Sequence, residues 1–197
     1  VKRIFRLSIV ASVVTSSMVF ADKAPETFVA PELQQESQHK KAIQRIDNWF
    51  SRYHYKKITL NDQLSAKMWD KFLRNIDYNK SLFLASDINK FEKYKYKFDD
   101  GMNSGDLSFA FDMYEDAIKR RIARLEEAIA MLDKEMDFSK DDAFYYDRED
   151  VQWAKNEAEI DEYWRQKIKY DALNLRLAGK EPAKIKETLG KRYTNTM

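Results

Sequence analysis

The 197-residue chain has no cysteine, only two histidines, four glycines and three prolines. Without thiols there can be no disulfide, no thiolate metal site and no cysteine-borne lipid anchor of the bacterial lipoprotein kind. So few glycines and prolines argue against an all-β fold, whose many turns draw on both residues. The two histidines, His39 and His54, stand fifteen residues apart on different expected segments. They lack the one-face spacing of a metalloprotease helix, so neither a metal nor a cofactor is expected. No Gly-rich phosphate loop is present, and no serine sits in a nucleophile-elbow context.

What is present fits a helical protein with a strongly charged exterior. Hydrophobic residues make up 44%, aromatic residues 14% and charged residues 35% of a chain long enough for one domain. The formal charge of +2 is partly carried by Lys2, Arg3 and Arg6 at the start. An apolar stretch follows from Leu7 to about Val14, then a Ser/Thr-rich section and Val19-Phe20-Ala21. That order is the one found in a secretory signal, with small residues where the peptidase reads. Ser12, Thr15, Ser16 and Ser17 interrupt the stretch, which is short of the ~20 residues of a spanning helix. Residues 1–21 are therefore expected to be a cleaved leader, with no stable membrane span after cleavage. Its removal lowers 35 cations to 32 against 33 acids, a charge of −1. The basicity points to export and not to nucleic acid.

Residues 22–35, with Pro25 and Pro31 and no period, read as a flexible mature N-terminus; the helical domain is expected over 36–197. The class is all-α, an irregular bundle of about six helices with a long aromatic-rich loop. Ile43, Ile46, Phe50 and Tyr53 make one amphipathic face. A second helix starts near Asn61 or Asp62 and carries Leu64, Met68, Phe72, Leu73 and Ile76. After a turn at 77–81 and a buried Leu82-Phe83-Leu84, Ser86 is expected to cap a helix presenting Ile88, Phe91, Tyr94 and Phe98 and stopping near Gly101. The longest ladder covers 106–134, through Leu107, Phe111, Tyr114, Ile118, Ile122, Leu125, Ile129 and Leu132. Residues 136–151 read as a loop packed through Phe138, Phe144, Tyr145 and Tyr146. Asn156 with Glu159 opens a helix closed at Gly179, and Pro182 starts the last one.

The acidic pairs Asp99-Asp100, Asp141-Asp142 and Glu149-Asp150 hold neighbours that point apart, so they do not form converging catalytic carboxylates. Lys119-Arg120-Arg121 and Arg124 find acidic partners three and four residues away. No catalytic, cofactor-binding or metal residue is assigned.

Several ordered stretches resemble the N-terminal helical region of tail-specific proteases, also called C-terminal processing peptidases. They are His54-Tyr55, Leu64-Ser65-Ala66-Lys67, Phe72-Leu73-Arg74-Asn75-Ile76-Asp77-Tyr78 and Phe83-Leu84-Ala85-Ser86-Asp87-Ile88. Met136-Asp137-Phe138, Trp153, Lys155-Asn156-Glu157-Ala158-Glu159, Trp164, Lys169-Tyr170-Asp171-Ala172-Leu173-Asn174-Leu175, Gly179-Lys180, Glu187-Thr188-Leu189 and Arg192-Tyr193 continue the series. The resemblance implies a periplasmic serine endopeptidase that takes substrates by apolar C-termini, with a PDZ-like domain and a serine–lysine protease domain further along. The chain ends at Met197, before those regions would begin. It is therefore expected to be a non-catalytic helical front section, inactive as a peptidase alone, with the downstream domains and apolar-tailed proteins as partners. The alternative is a free-standing periplasmic adaptor.

Overall fold

The computed structural model describes residues 28–197, so the leader expected over 1–21 lies outside them. Seven α-helices make up the described residues: α1 Ser37–Tyr53, α2 Asp62–Ile76, α3 Ala85–Phe91, α4 Phe98–Ser104, α5 Ser108–Met131, α6 Glu157–Leu177 and α7 Pro182–Thr196. A single 3₁₀ turn, Glu92–Tyr94, separates α3 from α4. No strand occurs among them; Leu84 and Ala154 form one isolated parallel bridge. The all-α class stands, with the expected third helix split in two.

Local chemistry accounts for the boundaries. Asn61 Oδ1 accepts from the Leu64 amide at 3.0 Å and starts α2. Asn156 Oδ1 accepts from the Glu159 amide at 3.1 Å and starts α6. Ser86 is not the cap of α3: Leu84 holds the cap position, and its amide donates to Asp87 Oδ2 at 3.0 Å. The α3–α4 break has its cause on α2. Buried Ser65 donates its hydroxyl to the Lys95 carbonyl at 3.1 Å and accepts from the Phe98 amide at 2.8 Å, diverting both groups from a continuous helix. Nor does Gly101 stop the helix. It sits inside α4, where a Cβ would come within 2.6 Å of the Asp106 carbonyl oxygen. The stop is Gly105 at φ 75°, the left-handed residue glycine suits.

The core forms where α2, α5, α6 and α7 meet. α2 buries Ser65, Trp69, Leu73 and Ile76, one step round from the expected line; Leu64, Met68 and Phe72 are half-buried beside it. The 106–134 ladder becomes α5, shorter at both ends. Its second half holds as expected, with Ile122, Leu125 and Leu132 buried. In its first half Met113 and Ala117 face inward instead, and Tyr114 is exposed. Ala117 is fully covered, and its small side chain suits a close approach. α7 fills the gap between α5 and α6 with Ile185, Leu189 and Tyr193. In the long loop, Phe138 and Phe144 pack against the body while Tyr145 and Tyr146 point to solvent.

Candidate functional site

The residues after α2 fold back on a buried carboxylate. Asp77 accepts from the amides of Ser81 at 2.9 Å, Leu82 at 2.9 Å and Phe83 at 3.1 Å. Lys80 takes φ 51° to make the turn. Burial pushes the Asp77 carboxyl above its ordinary range, against the opposing pull of those three amides. Around it, side chains from elsewhere in the chain take three main-chain carbonyls. Trp164 Nε1 donates to Ser81 at 3.1 Å, Arg121 to Ile76 at 3.2 Å, and Arg148 to Asn79 at 2.9 Å. Lys80 donates to the carbonyls of Glu149 and Val151, each at 2.6 Å. Phe83, wholly buried, meets Phe91 edge-on at 5.6 Å and lies beneath the Arg120 guanidinium at 5.3 Å. Arg120 also pairs with Asp87 at 3.0 Å.

Asp77, Phe83, Asp87, Asn156 and Trp164 all belong to the stretches that carry the family resemblance. The structure gives them structural work: they clasp the 77–84 loop and the 148–154 segment onto α6. The clasp is a satisfied polar network in a packed region.

The histidines and acidic pairs stay apart. His39 Nδ1 accepts from the Glu36 amide at 3.0 Å at the start of α1, and its ring lies 5.2 Å from Phe111. His54 follows α1, between Phe50 at 5.2 Å and Tyr55 at 4.7 Å, and accepts from the Lys56 amide. Asp100 pairs with Lys97. Asp142 binds Arg165 and Lys169, which hold its carboxyl down at about 2. Glu149 pairs with Arg74. Arg124 links α5 to Glu157 and Asp161 on α6. Among the described residues, no three His, Asp or Glu side chains gather as a metal site. Buried Asp99 has one carboxylate oxygen without a partner among the described residues.

A different feature breaks the core logic. Of the amphipathic face made by Ile43, Ile46, Phe50 and Tyr53 on α1, only Ile43 is buried. Trp49 is 69% exposed, Phe50 49% and Tyr53 70%. α1 itself packs mainly on α4. Its apolar residues thus continue past the core onto the surface, where they adjoin a groove running to Leu60, Leu64 and Met68 on and before α2. The sequence carried a sign of this. Trp49 falls beside the 43–46–50–53 line and widens the apolar stripe beyond what one contact with a seven-residue helix can cover. Exposed apolar patches of this kind mark contact surfaces.

The family described as tail specific protease N-terminal domain matches residues 46–197. A tail-specific protease of Haemophilus influenzae is 39% identical over 170 residues, covering 86% of this chain and 24% of the relative. The chain thus spans about a quarter of the length of the curated relative it matches.

Proposed function

Since this chain belongs to the tail-specific protease N-terminal domain family, we propose that it is the non-catalytic front section of a periplasmic serine endopeptidase, which it helps to scaffold and supply with substrate. The open apolar face of α1 carries this reading: a helix with aromatic residues turned outward is built to be covered by another surface. The clasp around Asp77 supports it from the other side. It ties the loop after α2 to α5 and α6 through Arg121 and Trp164, which suits a frame better than a moving lid. The cationic start, short apolar stretch and Val19-Phe20-Ala21 support export. No helix among the described residues is long and apolar enough to cross a membrane.

Extending this chain by its downstream region, with and without residues 36–197, tests the frame role. Loss of the domain should spare cleavage of a short peptide and slow degradation of an unstructured protein at least tenfold. Equal rates on the protein would overturn the proposal. Export is tested by mass spectrometry of the periplasmic fraction, where a mature N-terminus at Asp22 is expected.

A further inference from the structure

α1 is joined to the molecule differently from the other long helices. The continuous apolar core takes buried side chains from α2, α4, α5, α6 and α7, and α1 contributes neither a buried nor a half-buried side chain to it. Ile43, the one buried residue of α1, lies apart from that core. α7, of similar length, sinks Ile185, Leu189 and Tyr193 into it. What holds α1 is a short seam on the α4–α5 junction. A Cβ on Gly105 would come within 2.7 Å of Lys40 Cγ, so α1 lies directly against the end of α4. At the front of the seam, the Gln35 side-chain amide takes two main-chain groups of the junction. Its Nε2 donates to the Gly105 carbonyl, and its Oε1 accepts from the Leu107 amide at 2.6 Å. The Leu33 amide adds a bond to Glu115 at 3.3 Å. At the back, residues 55–60 form no helix. Among the described residues, their only hydrogen bonds run between Lys56 and the His54 ring.

A helix outside the core, latched at one end and tied at the other by chain without backbone-to-backbone hydrogen bonds, is the kind of element that opens by itself. We propose that α1 is a hinged arm: it parts from the body as one piece when Gln35 leaves the α4–α5 junction, turning about residues 55–60 while α2–α7 keep their fold. The clasp on the Asp77 loop lies within that body, since its partners come from α5, α6 and residues 148–151. Opening the arm breaks none of it. The arm carries the exposed Trp49, Phe50 and Tyr53 to the surface that covers them, a use of the motion that rests on the frame reading.

Native-state hydrogen–deuterium exchange of the purified chain, read residue by residue by NMR in water and in low urea, follows the arm. A detached helix of 17 residues is marginal in water, so its amides exchange once it leaves the body. The amides of residues 41–53 should exchange together, about a hundredfold or more faster than those of residues 117–128 in α5. Their exchange should also depend less on urea, because opening the arm exposes less surface than unfolding the chain. Gln35→Met keeps the length of the side chain and removes both hydrogen bonds to the junction. It should speed exchange in α1 about tenfold and leave α5, α6 and α7 unchanged. Ile43→Ala, which cuts back the one buried side chain of α1, should act on the same helix alone. Exchange of α1 at the rate and urea dependence of α5 would make it part of the body and overturn the proposal. So would rates that rise only toward the ends of α1 while its middle stays as slow as α5, which is fraying. No acceleration in Gln35→Met, or equal acceleration of every helix in either variant, overturns it as well. Each of these failures leaves the frame role standing, since that is read from the effect of removing residues 36–197.

Discussion

Replacing Asp77 by alanine should remove the support on which the 77–84 turn is built. Three backbone amides, those of Ser81, Leu82 and Phe83, donate to its carboxylate in a buried setting. An orphaned buried donor costs about 1–3 kcal/mol. Three of them amount to about 3–9 kcal/mol before relief from burying a carboxylate is subtracted. A net loss of about 2 kcal/mol or more is expected, a sizeable part of the ~5–15 kcal/mol a domain usually has. Asp77→Asn keeps one oxygen and turns an amide nitrogen toward the remaining donors, so its loss should be smaller. Urea unfolding of the chain, followed at 222 nm, measures both. Because burial raises the carboxyl's pKa in the folded state, folding favours its protonated form. Its titration therefore adds stability below the unfolded value near 3.8, and this is lost as pH rises through the folded value. The advantage of the original chain over Asp77→Asn should accordingly shrink as pH rises from 3.5. A loss below 1 kcal/mol for Asp77→Ala, or an advantage that grows with pH, would refute the reasoning.

Further outcomes follow from other parts of the fold. Leu125→Asp places a carboxylate in a position 3% exposed and should cost about 4 kcal/mol or more, measured by the same urea transition. Trp49→Ser should change stability by no more than about 0.5 kcal/mol, since the side chain lies outside the core. A shift of several degrees in its Tm would show that α1 is packed after all. In Arg165→Ala, the Asp142 carboxyl should rise from about 2 toward its ordinary value, read by NMR titration, because the guanidinium that donates to both its oxygens is gone.

Sequence periodicity located most helices because their core faces follow a simple spacing and their ends carry local signals. Asn61 and Asn156 cap α2 and α6, Gly179 takes φ 75° after α6, and Pro182 opens α7. Where it went astray, a partner distant in sequence decided the outcome. Ser65, thirty-three residues from Phe98, breaks the α3–α4 run with its hydroxyl. Gly101 looks like a stop but is there for close contact with Leu107, and Gly105 does the stopping. Asp77 reads as a turn residue, and nothing local shows that Trp164, Arg121 and Arg148 converge on its loop. The α1 face shows the clearest limit of pattern reading. Amphipathic spacing reports that a surface is to be covered, not whether the same chain does the covering. His39 and His54 each accept a local amide hydrogen bond.

The central claim is that this helical section serves a protease without containing its chemistry. An unstructured protein ending in apolar residues, incubated with purified residues 22–197, puts it to the test most directly. No time-dependent cleavage is expected from this chain alone, and cleavage should appear once the downstream region is joined to it. Cleavage that co-purifies with residues 22–197 and vanishes on changing one of its own serines would contradict the claim.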